Sequence, residues 1–248
     1  MAADTNPKAC MIIIGDEILS GRTIEANLAP LSHMLNSAGV SLKRVHIIPD
    51  DEKEIISTVN NARRQYDYVF TTGGIGPTHD DITTASIAKA FNVAVYRHEE
   101  ALSRLLAHYD EALLNDARLK MADIPQGAVL IDNPVSAAPG FILDNVYVMA
   151  GVPKIMQAMC DFIQPLLRGG TPVESRTIAA YAREGTIAEE LTLLQKKHDQ
   201  VAIGCYPLFK NGKMGCSLVL RSIHSAALDA AEQDCMMLLL KYGDAMDD

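Results

Sequence analysis

Apolar residues follow two alternating patterns along the first two thirds of the chain. Continuous runs of apolar and β-branched residues predict buried strands, and they lie at 8–15, 41–48, 68–70, 93–96, 128–131, 141–143 and 146–150. Between several of these runs, apolar residues recur at intervals of three or four positions, which predicts helices at 25–38, 52–66, 83–91, 99–114 and 153–167. This order of strands and helices is typical of an open α/β sheet.

A stretch rich in glycine, Arg168-Gly169-Gly170-Thr171-Pro172, separates this pattern from a different one. Downstream of it, strands are predicted at 175–182, 201–210 and 213–222, and helices at 186–198 and 225–242. Asn211-Gly212 between the last two strands is a strong signal of a hairpin turn. The sequence therefore predicts two domains, at 1–168 and 173–243, of which the second is a small α+β domain.

The loop 71–83 (TTGGIGPTHDDIT), between a predicted strand and a predicted helix, is the strongest candidate for a ligand site. Ligands of open α/β sheets bind at the carboxyl ends of the strands. Glycines there let backbone N–H groups approach an anion at the start of a helix. The residues predicted to hold a phosphate group are Thr72, Gly73, Gly74, Gly76, Pro77 and Thr78. A plain turn without a ligand is the alternative.

Asp80 and Asp81 in the same loop indicate a bound cation. Two carboxylates repel a phosphate group unless a cation lies between them, and Mg²⁺ is commonly held by carboxylates together with substrate phosphates. We therefore predict that Asp80 and Asp81 bind a divalent metal ion, either Mg²⁺ or one of Co²⁺ and Mn²⁺. The alternative is that an aspartate of this loop caps the following helix.

Two further acidic loops are predicted at the same edge of the sheet. Asp16 and Ser20 follow the first predicted strand, and Asp50 and Asp51 follow the second. Each loop by itself is also explained as a solvated turn or, for the second, as a helix cap. Because three such loops converge at one edge, they predict a common site. The loop of small residues at 132–141 is a further candidate, with an ordinary connection as the alternative.

Composition narrows the class of protein. The chain of 248 residues is 48% hydrophobic and has a net charge of −9, whereas proteins that bind nucleic acid are usually basic, so no nucleic acid is expected as a partner. No apolar run approaches the roughly 18–20 residues that span a bilayer, so no membrane is expected, and the segment 1–8 lacks the apolar core of a signal peptide. The five cysteines are scattered without a CxxC pair, which indicates reduced thiols and a cytoplasmic location.

Several segments together resemble the molybdopterin-binding domain family, which includes the MoaB and Mog proteins of molybdenum-cofactor synthesis. They are GDEILSG (15–21), IPDD (48–51), TGGIGPTHDDIT (72–83), NPVSAAPGF (133–141) and MAGVPKIM (149–156). The GPTxDD pattern is most similar to the N-terminal domain of competence/damage-inducible protein A (CinA), and the corresponding domain of eukaryotic FAD synthases is also similar. AREGTIAEEL (182–191) and IGCYPLFKNGKMGCSLVLRS (203–222) resemble the small domain appended in that subgroup.

The resemblance implies a three-layer α/β/α fold around a mainly parallel sheet, with a pterin phosphate or nucleotide diphosphate held at the glycine-rich loop. Asp81 matches the aspartate that supports Mg²⁺-dependent adenylyl transfer in Mog proteins, and Asp50 matches a second acidic residue of that site. Both are therefore predicted to be catalytic. The residues predicted to contact the ligand from other loops are Asp16, Ser20, Gly21 and Asn133.

The resemblance leaves three functions open. The CinA subgroup is associated with metal-dependent hydrolysis of ADP-ribose-type pyrophosphates, and the FAD-synthase relative with hydrolysis of FAD. Mog proteins usually carry Arg-Asp where this chain has Asp80-Asp81, which favours a metal-dependent pyrophosphatase over a molybdopterin adenylyltransferase. A protein that only binds a pterin or nucleotide is the third alternative. This sequence has no counterpart of the CinA deamidase domain, so deamidation is not expected, whereas a homo-oligomer (a dimer or trimer) is.

Overall fold

The structure of the chain is a computed structural model that describes residues 6–110, 113–244 and 246. Residues 6–170 form one compact unit, and the residues from 171 onward belong to a second. Residues 1–5, which the predicted first domain includes, and residues 111–112, which the predicted helix 99–114 includes, lie outside the described residues.

In chain order, the elements of the first unit are β1 (Lys8–Ile14), α1 (Asp16–Leu19), α2 (Leu28–Ser37), β2 (Ser41–Ile48), α3 (Glu52–Gln65), β3 (Tyr68–Thr72), α4 (Thr83–Phe91), β4 (Val95–Arg97), α5 (Glu99–His108), α6 (Asp116–Leu119), β5 (Asp123–Pro125), β6 (Val129–Ile131), β7 (Gly140–Leu143), β8 (Val146–Met149) and α7 (Pro153–Ile163). Short 3-10 turns follow α6 at Lys120–Ala122 and α7 at Gln164–Leu166.

The main sheet of the first unit has six strands in the order β2-β1-β3-β8-β7-β6. β1 pairs in parallel with β2 and β3, and β3 pairs in parallel with β8. β7 is antiparallel to β8, and β6 is antiparallel to β7. A parallel centre with an antiparallel extension confirms the predicted mainly parallel sheet.

Successive residues of the central strand β1 face two different hydrophobic cores. Cys10, Ile12 and Ile14 pack in the core that α3, α4 and α5 cover. Ala9 and Met11 pack in the opposite core, which α2 and α7 cover. Because helices cover both faces, the strand is apolar almost throughout. The predicted three-layer α/β/α arrangement is therefore confirmed.

Helix α2 begins at Leu28, later than the predicted start at residue 25. The carboxylate of Glu25 accepts hydrogen bonds from the backbone N–H groups of Asn27 and Leu28, at N–O distances of 2.6 and 3.0 Å. These bonds satisfy donors that a helix leaves without partners in its first turn. Pro30 then lies in that first turn, where the N–H that it lacks is not needed.

The predicted helix 99–114 is too long, because α5 ends at His108. Leu106 and Leu113 fit the helical spacing of apolar residues and so lengthened the predicted helix, but both side chains are exposed and do not contribute to the core. The segment that follows contains α6 and β5, neither of which the sequence pattern predicted. β5 pairs antiparallel with β4 in a separate two-stranded sheet.

The second unit consists of β9 (Glu174–Ala180), α8 (Glu184–Lys197), β10 (Ala202–Lys210), β11 (Lys213–Ser222) and α9 (Ser225–Tyr242). Its strands form an antiparallel sheet in the order β10-β11-β9, and side chains of α8 and α9 pack with those of β9 and β11 in one core. Asn211 and Gly212 have φ angles of 54° and 75°, as a tight hairpin turn with two left-handed residues requires. The predicted β-α-β-β-α order is confirmed.

The five cysteines are free, and four of them are buried. Burial raises the pKa of Cys10 to about 11 and that of Cys160 to about 12, so both thiols are uncharged at neutral pH. They act as small core residues of the first unit. In the described part of the chain, no helix combines the length and the apolar character of a membrane-spanning segment.

Candidate functional site

Five loops lie at one edge of the main sheet. The parallel strands β1, β2, β3 and β8 all end there. β6 also ends there, because it is antiparallel to β7, which is antiparallel to β8. The loops at this edge are therefore 15–27, 49–51, 73–82, 132–139 and 150–152. The structure thus brings the loops that carry the predicted site residues to one edge of the sheet.

The glycine-rich loop begins at Gly73, where the end of β3 lies close to the ends of β1 and β8. Gly73 has a φ of 103°, and its backbone N–H donates to the carbonyl oxygen of Met149 over 3.2 Å. A Cβ atom at Gly73 would lie 2.1 Å from the carbonyl oxygen of Ile14. Gly74 follows with a φ of 69°. The loop therefore needs glycine at position 73, both for its backbone angles and for the space beside β1.

Helix α4 starts directly behind this loop, and no side chain of the described residues caps it. Its N-cap residue is Ile82, so the alternative that an aspartate caps this helix is not what the structure shows. The hydroxyl groups of Thr72 and Thr83 are buried and have no hydrogen-bond partner in the described structure. The start of α4 thus offers a partial positive charge and unpaired polar groups close to the loop.

Asp81 closes a turn with Thr78. Its Oδ2 atom accepts hydrogen bonds from the backbone N–H of Thr78, at 2.8 Å, and from the Thr78 hydroxyl. The backbone N–H of Asp81 donates to the carbonyl oxygen of Thr78 over 3.3 Å. A Cβ atom at Gly76 would lie 2.6 Å from Oδ2 of Asp81, so Gly76 leaves the room that this carboxylate occupies. We refer to Thr78–Asp81 as the aspartate turn.

Asp80 lies at the exposed tip of the aspartate turn. The polar side chain of Thr78 is the largest cause of a lowered pKa of the Asp80 carboxyl, followed by the backbone N–H of Asp80, and the positive charge of Lys120 acts in the same direction. Asp80 is therefore ionised at neutral pH.

Asp50 and Asp51, adjacent in sequence, have different roles. Asp51 caps α3, because its Oδ1 atom accepts a hydrogen bond from the backbone N–H of Glu54 over 3.0 Å. Asp50 instead accepts a hydrogen bond at Oδ2 from the backbone N–H of Asp16 over 3.0 Å. Its Oδ1 atom lies 3.5 Å from the position that a Cβ atom of Gly74 would occupy. Asp50 therefore links the first two acidic loops beside the glycine-rich loop.

The pKa of Asp50 is raised above its ordinary value. Burial is the largest cause, and the negative charges of Asp16, Glu17 and Asp80 raise it further, while the hydrogen bond from Asp16 opposes them. Ionised Asp50 is thus surrounded by like charge, and a bound cation would relieve that repulsion.

The carboxylates at this edge of the sheet can supply only part of the ligand set of a metal ion. Among the described residues, no group of three or more His, Cys, Asp and Glu side chains is placed to hold a metal ion. Mg²⁺ is usually bound by one or two carboxylates together with substrate phosphates and waters, not by a cage of protein ligands. The exposed carboxylate of Asp80, which is ionised at neutral pH, suits a site of that kind. Asp80 and Asp81 as metal ligands remain a prediction.

The loop after β1 is more ordered than a simple turn, because it contains the short helix α1. The Ser20 hydroxyl donates to the carbonyl oxygen of Glu17 over 3.3 Å, and Gly21 has a φ of 72° with open space around its Cα. Ligand contacts of Ser20 and Gly21 stay predictions.

Asn133 shapes its own loop. Its amide nitrogen donates to the Ser136 hydroxyl and to the carbonyl oxygen of Ala138, each over 2.7 Å. Its amide oxygen accepts hydrogen bonds from the backbone N–H groups of Val135 and Ser136, at 3.1 and 3.2 Å. These four bonds use the hydrogen-bonding capacity of an asparagine side chain. Asn133 therefore shapes the loop at the site, and its contact with a ligand stays a prediction.

Two residues of this region, Asn27 and Lys120, were not predicted from the sequence. Asn27 donates from its amide nitrogen to the carbonyl oxygen of Gly151 over 2.8 Å. Lys120 donates from Nζ to the carbonyl oxygens of Thr78 and Asp81, at 3.0 and 2.9 Å. Neither residue lies in a glycine-rich or acidic motif, so only the folded chain places them at the site.

A separate cavity of about 420 Å³ lies in the second unit. Its lining residues are Arg183, Glu184, Gly185, Pro207, Met214 and Gly215. None of the residues predicted from the acidic and glycine-rich loops lines it.

Comparison with known families gives two matches along the chain. Residues 10–169 match a family described as a probable molybdopterin binding domain. Residues 172–243 match a second family, described as the middle domain of FAD synthase. A protein of Pyrobaculum aerophilum is 31% identical over 257 aligned positions, which cover 95% of this chain and 96% of that protein. A protein of Archaeoglobus fulgidus is 35% identical over 199 positions, covering 79% and 84% of the two chains.

Among solved structures, the crystal structure of CinA from Thermoplasma acidophilum, a protein of unknown function, is similar to this chain. Its TM-score is 0.61 at 36% sequence identity, and the match covers 64% of this chain and 96% of that one. Together with the first family match, this similarity confirms the resemblance that the sequence motifs indicated.

Proposed function

Residues 10–169 of this chain belong to the family of probable molybdopterin-binding domains, and on that premise we propose that the chain is a metal-dependent pyrophosphatase. Its substrates would be dinucleotides of the ADP-ribose or FAD type, bound at the glycine-rich loop. The proposal is carried by what meets at one edge of the sheet. The start of α4 has no side-chain cap, and the loop before it has glycine where it packs against β1. Beside this loop lies Asp50, a carboxylate whose pKa is raised.

A diphosphate suits the loop for electrostatic reasons. The backbone N–H groups of Gly74, Ile75 and Gly76 have no hydrogen-bond partner among the described residues. They precede the positive end of α4, and such helix starts commonly bind phosphate groups. The buried hydroxyl of Thr83, which lacks a described partner, is a further group that a ligand can satisfy. Gly73, Gly74, Gly76 and Thr78 would therefore hold the diphosphate.

The carboxylates around this loop explain why a divalent ion is part of the proposal. A diphosphate next to Asp50, Asp80 and Asp81 is repelled by three negative charges unless a cation neutralises them. Asp80 would hold this ion together with the substrate, and Asp81 would join it through Oδ1, because its Oδ2 atom accepts the hydrogen bonds of the aspartate turn. When bound, such an ion stabilises negative charge that develops on the phosphoryl oxygens.

Asp50 is the residue that we propose as the proton acceptor. Its Oδ2 atom is fixed by the backbone N–H of Asp16, and its Oδ1 atom lies on the side of Gly74. A carboxylate with a raised pKa is a better base than an ordinary one. Oδ1 of Asp50 can therefore take a proton from the water molecule that attacks one phosphorus, while the bond from that phosphorus to the bridging oxygen breaks and the other half of the dinucleotide leaves as a monophosphate.

The second family match favours a flavin or adenine dinucleotide over a pterin. Residues 172–243 match the middle domain of FAD synthase, whose name refers to a flavin dinucleotide. The family name of residues 10–169 refers to molybdopterin, so adenylyl transfer to molybdopterin is the second candidate. The replacement of Arg-Asp by Asp80-Asp81 weighs against that candidate, because it removes a positive charge and adds a negative one.

The test is phosphate-ester turnover by the purified chain. ADP-ribose, FAD, and ATP with molybdopterin are each offered with Mg²⁺, Mn²⁺ or Co²⁺, and with a chelator as a control. We expect metal-dependent cleavage of ADP-ribose or FAD. Transfer of AMP to molybdopterin would instead support the second candidate, and tight binding without turnover would identify a carrier or sensor.

Two aspartate variants show whether the turnover comes from this site. Asp81→Asn should reduce cleavage at least about 100-fold, within the range for groups that position or stabilise reacting charge, while the circular dichroism spectrum stays unchanged. Asp144→Asn is the matched control, because Asp144 is exposed in the β7–β8 turn at the opposite edge of the sheet. Full activity of Asp81→Asn would contradict the assignment.

A further inference from the structure

Lys120 connects the aspartate turn to a segment that is distant in sequence. Its Nζ atom donates to the carbonyl oxygens of Thr78, 42 residues earlier, and Asp81, 39 residues earlier, over 3.0 and 2.9 Å. These two oxygens lie on either side of the exposed residues His79 and Asp80. One ammonium group therefore holds both ends of the aspartate turn.

The backbone that carries Lys120 is anchored by the core. Lys120 begins the 3-10 turn that leads to β5, and Ala122 in that turn is fully buried. The carbonyl oxygen of Ala122 accepts a hydrogen bond from the backbone N–H of His98 over 2.9 Å. Ile124 in β5 is also buried. Because these contacts fix the segment independently of the loop, Lys120 can restrain the aspartate turn.

Lys120 also brings positive charge to a strongly acidic region. Its charge lowers the pKa of the Asp80 carboxyl, and Asp81 lies in the same turn. An ammonium group has three N–H donors, of which the two carbonyl oxygens use two. The third can donate to an anionic oxygen of a ligand.

We propose that Lys120 is a positioning residue of this site, which holds the aspartate turn in its ligand-binding shape and places a positive charge beside the phosphate group. This inference rests on the proposed function insofar as the ligand is a diphosphate. The positive side chain at the phosphate loop then comes from the segment between α6 and β5, and not from the loop itself.

The first test measures the turn without any ligand. Hydrogen exchange of the peptide that contains the aspartate turn is compared among the wild type, Lys120→Met and Lys120→Arg. We expect exchange of the turn amides about tenfold faster in Lys120→Met, because a loss of two hydrogen bonds to a charged donor exceeds the free-energy change that corresponds to tenfold. Lys120→Arg should keep most of the protection, because it retains charge and donors.

Lys89→Met is the matched control. Lys89 lies on α4 and forms an exposed ion pair with Glu52 of α3, away from the carbonyl oxygens of the turn. Its replacement should leave exchange at the turn unchanged. Equal exchange rates at the turn in the wild type and Lys120→Met would overturn the inference.

The second test separates positioning of the ligand from a purely structural bond. The dissociation constant of ADP, as the diphosphate probe, is measured by calorimetry with Mg²⁺ for the same four proteins. We expect about tenfold weaker binding for Lys120→Met and near wild-type binding for Lys120→Arg and Lys89→Met. Faster exchange with unchanged ADP affinity would overturn the ligand-positioning role. Failure of the wild type itself to bind ADP would contradict the proposed function, whereas hydrogen exchange would still decide whether Lys120 holds the turn.

Discussion

The carboxylate of Asp50 accepts a hydrogen bond from the backbone N–H of Asp16, with 3.0 Å between the nitrogen and Oδ2. This bond joins the loops that follow β2 and β1. It lowers the pKa of Asp50, yet burial and the neighbouring negative charges outweigh it, so that the pKa is raised. The fold therefore holds a carboxylate where its ionised form is unfavourable, which is common for residues that act in binding or catalysis.

Replacement of Asp50 by asparagine should change stability in a manner that depends on pH. Because the pKa of Asp50 is raised in the folded state, its contribution to stability is fully present below the ordinary value of 3.8 and is lost as the pH rises through the folded-state pKa. Asparagine keeps an oxygen that accepts the Asp16 bond but never ionises. We expect Asp50→Asn to unfold a few degrees above the wild type at about pH 7 in the presence of chelator, while its turnover falls.

The measurement is thermal unfolding followed by circular dichroism from about pH 4 to pH 8. The difference between Asp50→Asn and the wild type should grow as the pH rises from about 4 and become constant above the folded-state pKa of Asp50. A difference that stays constant over this range would show that ionisation of Asp50 is not its cause.

Alanine substitutions at two glycines separate backbone strain from close approach. Gly73 and Gly127 both have positive φ angles, 103° and 85°. A Cβ atom at Gly73 would lie 2.1 Å from the carbonyl oxygen of Ile14, whereas one at Gly127 would meet nothing within 4 Å. Left-handed backbone costs about 1–2 kcal/mol at either position, and overpacking adds about 1–3 kcal/mol at Gly73 alone. Gly73→Ala should therefore lower the free energy of unfolding distinctly more than Gly127→Ala.

Urea unfolding followed by far-ultraviolet circular dichroism measures both variants against the wild type. Equal losses would mean that the strand ends move apart at little cost. In that case, the close packing of β1 against the glycine-rich loop would not be needed for the shape of the site.

Two asparagines at opposite edges of the sheet distinguish site residues from residues of the scaffold. Asn27 donates to the carbonyl oxygen of Gly151 over 2.8 Å at the ligand edge. Asn145 donates to the carbonyl oxygens of Arg63 and Tyr66, at 3.0 and 2.9 Å, at the other edge. Alanine at either position leaves backbone groups without a partner, so each variant should lose about 1–3 kcal/mol of stability.

Only Asn27→Ala should also weaken ADP binding. Asn27 holds the backbone of Gly151, and Gly151 packs against the phosphate loop so closely that a Cβ atom on it would lie 3.2 Å from the Cα of Gly73. Calorimetric titration with ADP, at a temperature where both variants are folded, checks this difference. Equal affinities of the two variants would show that the bond between Asn27 and Gly151 has no influence on the phosphate loop.

Much of the fold follows from local patterns in the sequence. The apolar run of β1 indicates a strand with both faces covered, and Asp51 together with the apolar residues of α3 marks a helix start that the structure contains. The errors occur where a local signal has a different tertiary role. Glu25 caps α2 instead of beginning it, and Leu113 continues a helical spacing without a core to pack against.

The acidic loops could be predicted to converge, because parallel strands end at a common edge. The spacing of Asp51 and Glu54 indicates the cap of α3, whereas the bond of Asp50 to Asp16 could not be predicted, because it depends on how two distant loops meet. Lys120 was missed for a different reason. Its bonds to the aspartate turn depend on the path of the chain through α6 and β5, and no motif in the sequence encodes that path.

The order of the strands also has a consequence for biosynthesis. β3 lies between β1 and β8, and Thr72 at its end pairs with Met149, far along the chain. Gly73 donates its backbone N–H to Met149, so the glycine-rich loop lacks one of its supports until β8 has been made and has docked. Pairing between distant segments is slow compared with local folding. In a nascent chain that has not yet emerged beyond β8, Gly73 should therefore lack the backbone bond that holds the glycine-rich loop at the ends of the strands.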